Sequence, residues 1–380
     1  MNRSFISSFD EMIMVKVMKN QAPFSSNAVR LSLREWAVTI IPLALVVLII
    51  FPLTWRRLEK FEHGANFRLA QHYRDDYWLF AKWARTAGKE YPIIFLGDSV
   101  IWGIYVGNDS TLPAQLNNLF GKNKVANLAI DGLHCVALEG LLKYYGAAIS
   151  HKKVILHFNP LWLYSRKFDL SGEKEFPIHH PRLLPQWLPR IKSYHDSLEV
   201  KAGIIQERYL PHISLINHLR LCYFGNQNFS QWVVDNPYKN PFAQISLKIH
   251  AASEKNSSEV KNWRERKLGI QNWQWVSLTD SFQWKYFVKS IKLLQSRANK
   301  VFIMVGPVNP YMLTPESLRR YRTLQSDIVV WLEKNHIDYF IVPDMPSHLY
   351  VDASHPLKEG YGIIAQRMFT DDTFLNWSAE

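Results

Sequence analysis

Three residues in this chain could together perform nucleophilic chemistry on an ester: a serine, a histidine and an aspartate. Ser99 stands in Gly97-Asp98-Ser99, directly after the apolar run Ile93 to Leu96. An unbroken apolar run suits a strand buried on both faces of a parallel sheet. A hydroxyl therefore surfaces where that strand ends, in the crevice where open α/β sheets hold their ligands. A serine needs a base to take its proton, and the base needs a partner to fix its tautomer. Asp352 and His355, three residues apart in Val351-Asp-Ala-Ser-His-Pro356, supply both from one short turn. The attack of Ser99 on a carbonyl creates an oxyanion, which needs donors. Gly132, in Asn127-Leu-Ala-Ile-Asp-Gly-Leu-His134, offers a backbone N–H with no side chain in the way. Asn159, in His157-Phe-Asn-Pro160, offers an amide, and the N–H groups near Ser99 complete the set.

Each of these residues also has a structural reading. Ser99 could cap the following helix, and His355-Pro356 could simply start one. Gly132 could be a turn glycine and Asn159 a strand-end cap. Asn127 and Asp131 could do no more than bond their turn, and His134 and His157 read as structural histidines. His348 with Asp344 is a competing base and partner. Gly306-Pro-Val-Asn-Pro310 suits a strand-end loop and shows no chemistry of its own.

The elements that must position these residues alternate. Strands are expected at 93–96, 125–130, 153–158, 301–305 and 339–342. Helices are expected at 112–120, 135–148, 281–298, 317–335 and 357–369. Strict alternation implies right-handed crossovers and a parallel sheet with helices on both faces, a three-layer α/β/α sandwich. Between Tyr164 and Trp275 the alternation fails in a stretch rich in proline, aromatic and basic residues. It is too long for one structureless loop and reads as an insertion folding over the strand ends, with a short helix at 196–208. Upstream, Phe61 to Ala87 has helical spacing and ends at Gly88.

Trp36 to Trp55 contains no charged residue. As a helix about twenty residues long it matches the thickness of a bilayer core, with a Trp for each interface. The basic residues flanking it, Lys16, Lys19, Arg30 and Arg34 before and Arg56, Arg57, Lys60, Arg68 and Arg74 after, differ by one and lean slightly towards a cytoplasmic C-terminal part. The formal charge of +12 favours anionic partners. No zinc-finger, basic-zipper or RNA-binding signature accompanies it, so a basic surface near a membrane is preferred to nucleic-acid binding. Cys135 and Cys222 make no disulfide framework, and Cys135 reads as a buried hydrophobe. No ligand cluster or phosphate-cradling loop is apparent, so neither metal nor cofactor is expected.

In four places the chain resembles the SGNH or GDSL-like hydrolase superfamily: Gly97-Asp98-Ser99, Asn127 to Gly132, Asn159, and Asp352-x-x-His355. The resemblance spans about residues 91 to 370. It implies an SGNH-like, flavodoxin-like sheet with Ser99 as nucleophile, His355 as general base and then acid, and Asp352 as its orienter. It also implies oxyanion donors at Ser99, Gly132 and Asn159. The third block departs from the usual Gly-x-Asn-Asp, with His157 and Pro160 at the outer positions. Together with the apolar helix and the basic insertion, this looks like anchored members that acylate or deacylate cell-surface glycans, often beside a membrane-bound O-acyltransferase. An extracytoplasmic domain follows from that resemblance. The expected limits are a polar segment at 1–35, a membrane helix at 36–55, a connecting helix at 56–90, a catalytic domain at 91–163 and 276–372, an insertion at 164–275 and a tail at 373–380.

Overall fold

The structure is a computed structural model and describes residues 32–173, 177–250 and 260–379. The chain divides into two compact units, residues 1–51 and 52–380. Residues 1–31 of the expected polar segment lie outside the described residues.

Ser32 opens helix α1 (Leu33–Leu58), of which residues 33–51 belong to the first unit and 52–58 to the second. The Ser32 hydroxyl accepts from the Glu35 N–H at 3.3 Å, and the Glu35 carboxylate accepts from the Ser32 N–H at 2.7 Å. This reciprocal cap satisfies two donors that a helix start leaves open, and it moves the start from the expected Trp36 back to Leu33. The helix contains Pro42 and a single π-helical stretch, Val46–Ile50. Its length of 26 residues and a mean hydropathy of 2.6 over its most apolar 18 residues make it long and apolar enough to cross a membrane.

The second unit carries, in order, β1 (Lys60–Glu62), α2 (Tyr77–Glu90), β2 (Ile93–Leu96), α3 (Ser99–Trp102), α4 (Leu112–Leu119), β3 (Val125–Asn127), α5 (Cys135–Tyr144) and β4 (Lys153–Phe158). Next come α6 (Leu198–Tyr209), α7 (Pro211–Tyr223), α8 (Phe229–Asp235), β5 (Lys248–His250), α9 (Phe282–Ser296) and β6 (Lys300–Val305). The chain closes with α10 (Pro315–Lys334), β7 (Tyr339–Ile341), α11 (Lys358–Phe369) and α12 (Asp372–Ala379).

Five strands form one parallel sheet in the order β3-β2-β4-β6-β7. The order reverses between β2 and β4, which is where ligands enter sheets of this kind. Side chains alternate along β2 as the pleat requires. Ile94 and Leu96 join a core with Trp83 of α2, Leu141 of α5 and Phe287 of α9. Ile93 and Phe95 join another with Leu116 of α4, Tyr361 of α11 and Phe374 of α12.

Three expectations change. The helix from Phe61 to Ala87 is replaced by β1, an irregular stretch and α2, which Asp76 caps by accepting from the Leu79 N–H at 2.9 Å. The aromatic spacing there does mark core, since Phe61, Phe67 and Trp83 meet edge-on and tilted at 4.8–5.7 Å. Pairing of β1 with the distant β5 overrides the local helical pattern. The expected tail is helix α12, whose Phe374 and Trp377 are buried against Phe302. Finally, Trp55 is not free at an interface, because it packs with Trp78 and Leu215.

Among the described residues of the 164–275 insertion, some approach the strand ends and others do not. Residues 177–184 reach the turn after β3, and Trp263 donates from its backbone to the Tyr350 carbonyl at 2.9 Å. Helix α7 packs instead against α2 on the side where α1 ends.

Candidate active site

The nucleophile turn is shaped by close approach. A methyl group at Gly97 would stand 2.5 Å from an Ile101 carbon and 2.9 Å from the His157 Cβ, so only glycine lets β2 run into α3 at this point. Asp98 then caps α3 by accepting from the Val100 N–H at 3.0 Å. Its other oxygen accepts from the Asn159 amide at 2.8 Å and from the Trp162 indole at 3.1 Å. His157 Nδ1 lies 3.3 Å from Asp98 without hydrogen-bond angles, while its Nε2 meets the Gly306 carbonyl at 2.6 Å. Burial works against the Asp98 charge, but His157 and these donors together hold its carboxyl below the usual carboxylate range. Asp98, His157 and Asn159 are therefore a buried bracket behind Ser99.

The structure brings Ser99, His355 and Asp352 together. His355 Nε2 stands 2.9 Å from Ser99 Oγ, and its Nδ1 stands 2.8 and 2.9 Å from the two Asp352 oxygens. The loop that carries them is preset. Asp352 accepts from the backbone N–H groups of Ser354 and His355, both at 3.0 Å. Buried Asn309 donates its amide to the Asp352 carbonyl at 3.1 Å, and its own N–H reaches the Ala353 carbonyl at 2.8 Å. Helix α11 ties back to the nucleophile through Tyr361, which donates to the Val100 carbonyl at 2.6 Å.

Electrostatics follow from this packing. Burial disfavours the His355 cation, but Asp352, with Asp98 and Asp131 farther off, outweighs it and holds the ring above its ordinary value. Burial also disfavours the Asp352 anion, yet His355 and the two backbone donors pull it down to about 2. Asp352 is therefore ionised through the whole neutral range and positioned to stabilise an imidazolium.

Beyond β3 the ladder continues irregularly, with Leu128 N–H on the Phe95 carbonyl at 2.9 Å and Ile130 N–H on the Gly97 carbonyl at 3.1 Å. This lays the 131–132 turn beside the nucleophile turn. Gly132 has φ +77°, and an added Cβ would press on the His179 ring at 3.2 Å. Among the described residues neither the Ser99 nor the Gly132 backbone N–H has an acceptor. The Asn127 side chain donates to the Ile101 carbonyl and accepts from the Ala129 N–H. Asp131 accepts from Gln71 at 3.0 Å and Arg74 at 3.4 Å, and its carbonyl meets His180 at 2.8 Å. Asn159 has one amide proton committed to Asp98, and its oxygen caps Leu161.

The competing pair separates: Asp344 is paired with Arg322, and His348 is exposed on a one-turn helix. His134 caps α5 and contacts the His179 carbonyl.

Several contributors were not legible in the sequence. Asn309 comes from the loop assigned no chemistry. Tyr105 meets the His355 ring edge-on at 5.4 Å, and Arg266 of the insertion lies 5.2 Å over Tyr105. A cavity of about 220 Å³ lined by His134, Trp162, Phe168, Ile178, His179 and Gln283 adjoins the Gly132 turn. The one available signal was position, since Asn309 follows a predicted strand end as Ser99 and Asn159 do. No family model matches this chain, and the curated proteins compared with it yield no match.

Proposed function

We propose that the protein is a membrane-anchored, serine-dependent acyl-transfer enzyme. The observation that carries this reading is the continuous path from Ser99 Oγ through both His355 nitrogens to Asp352. In the first half-reaction, Ser99 Oγ attacks the ester carbon while His355 Nε2 takes the hydroxyl proton. The carbonyl π electrons move to oxygen, and the N–H groups of Ser99 and Gly132 meet that charge. Collapse expels the alcohol, which receives the proton from His355, and leaves an acyl-Ser99 ester. In the second half-reaction, water or an acceptor hydroxyl gives its proton to His355 as it attacks the acyl carbon, and His355 returns that proton to the departing Ser99 Oγ, which restores the free serine.

The resemblance of the four blocks supports the finer reading: an SGNH-like three-layer sandwich outside the cytoplasm, moving acetyl groups onto or off a glycan, with a membrane-bound O-acyltransferase as a partner. The order of the five strands and the placement of Ser99 at their reversal fit that architecture. Asn159 fits its implied role less well. Its bond to Asp98 makes it first a bracket for the nucleophile turn and leaves the second amide proton for the oxyanion.

A fluorophosphonate probe tests the reading on the full chain. Labelling of the wild type that is lost in Ser99→Ala supports it, and labelling that survives the substitution removes the nucleophile. Absence of labelling in both proteins would favour a catalytically silent glycan-binding scaffold. Fatty-acid release from lysophospholipid, with no acetyl release from acetylated glycan, would redirect the substrate to lipid.

A further inference from the structure

A second cavity, of about 250 Å³, lies at the foot of α1, lined among others by Arg56, Trp78, Arg85, Tyr144, Glu207 and Arg208. Its carboxylate is already used, because Glu207 is paired with Arg182. Arg208 spends donors on the Arg182 and Leu184 carbonyls and lies 4.4 Å over the Tyr144 ring. Arg56 lies 4.7 Å over the Trp78 ring. Among the described residues neither Arg56 nor Arg85 has a carboxylate partner. Burial, then the charge of Arg56, lowers Arg85 to about 10. Arg85 is half-buried and Arg56 is exposed, so the cavity presents two guanidinium groups without a carboxylate partner, and guanidinium forks match phosphate oxygens in shape and charge.

The surroundings indicate where such an anion would come from. Arg56 belongs to the last turn of the apolar helix. Among the described residues no large apolar side chain between Glu59 and Gln186 is exposed, whereas such side chains are frequent from Trp187 to Phe242, including Ile216 at 60%, Val234 at 71% and Phe242 at 77%. Ile216 neighbours Leu215, which packs on Trp55, and Phe242 lies one turn before Ile245 in the same cluster. An apolar rim beside the end of a membrane helix fits the headgroup boundary of a bilayer.

We propose that the Arg56–Arg85 cavity binds a phosphate group, that of an anionic membrane lipid headgroup. The assignment is independent of the acyl-transfer reading. It is tested on the full chain in detergent by native mass spectrometry with phosphatidylglycerol, diacylglycerol, glycerol phosphate and inorganic phosphate as separate probes. The expected result is one tightly held phosphatidylglycerol, no specific diacylglycerol adduct, and affinity reduced roughly tenfold or more in Arg85→Gln, as loss of a charge-assisted bond implies. Arg85→Lys should recover part of the binding. Arg85→Gln should melt no lower than wild type without lipid, since it removes a desolvated, repelled cation. Equal binding of phosphatidylglycerol by Arg85→Gln, or equal binding of diacylglycerol by wild type, overturns the site. Inorganic or glycerol phosphate binding as tightly as the lipid overturns the lipid source.

Discussion

His355 and His218 are both held by acidic side chains, and of this pair only His355 lies beside a serine. His355 bonds Asp352 through Nδ1 and leaves Nε2 to Ser99, and its side chain retains 16% exposure at the sheet rim. His218 on α7 bonds Asp76 through Nδ1 at 2.8 Å and Glu59 through Nε2 at 2.7 Å, with no exposure. Around it Lys82, Tyr223 and Trp55 also donate to Glu59, and burial of the Glu59 charge is outweighed so that it falls to about 2. Burial disfavours the His218 cation too, yet Asp76 and Glu59 hold it well above the ordinary value. Residue type alone therefore does not make a site. An imidazole with one nitrogen fixed and the other beside an exchangeable proton is a base, whereas one with both nitrogens held by carboxylates is a charged staple.

The staple also revises the expectation that no metal-ligand spacing joins a cysteine to a histidine. His218 and Cys222 are four apart on one helix face, and with Asp76 they form a compact group of potential ligand atoms. The 2.8 Å separation of His218 Nδ1 and Asp76 Oδ2 is that of a charge-assisted hydrogen bond. Two ligands of one tetrahedral zinc, each about 2.0–2.1 Å from the ion, would stand farther apart. The group is satisfied as an ion pair.

Ser99→Ala should have the largest effect of any substitution. Turnover of an activated ester should fall by about 10⁴-fold or more, while the melting temperature hardly moves. Asp352→Asn should cost nearly as much, about 10³- to 10⁴-fold, because the tautomer is no longer fixed. It should also move the acid limb of kcat/KM to lower pH. The base must be neutral, wild-type His355 is held above its ordinary value and so loses activity early as pH falls, and removing the carboxylate charge lowers that value.

His218→Ala should show the opposite signature. Stability should fall by about 3–5 kcal/mol, since two buried carboxylates lose their common partner, with fluorophosphonate labelling per folded molecule unchanged. The sign with pH differs as well. The contribution of His218 is full below its unfolded value and is lost as pH rises through its raised folded value, as urea titrations across pH would reveal. The smallest effect is expected of Asn309→Ala, which frees the Asp352 loop. A loss of about 1–2 kcal/mol of stability and a roughly tenfold lower kcat with little change in KM would place Asn309 as a positioning residue.

The apolar runs of the parallel sheet were legible because strands buried on both faces are built mainly from apolar residues. Ile93–Leu96 and the central Val154–Leu156 of β4 stand in the sheet as their composition requires. The apolar helix was legible for a similar reason, although its reciprocal cap at Ser32 and Glu35 lies upstream of the uncharged run. The stretch from Phe61 to Tyr73 was not, because aromatic spacing does not reveal that a strand partner lies nearly two hundred residues away in β5.

By itself the sequence determined which side chains could react and which strands end beside them, since both depend on residue type and short-range pattern. Only the tertiary structure decided that His355, rather than His348 or His157, meets Ser99, and that Asn159 is tied to Asp98. It likewise decided that Asn309 steadies the loop and that His218 joins Glu59 to Asp76. Hydrogen bonds and ion pairs act over about 3 Å, and contacts of that range between residues far apart in the chain exist only once the sheet has set the register of its strands.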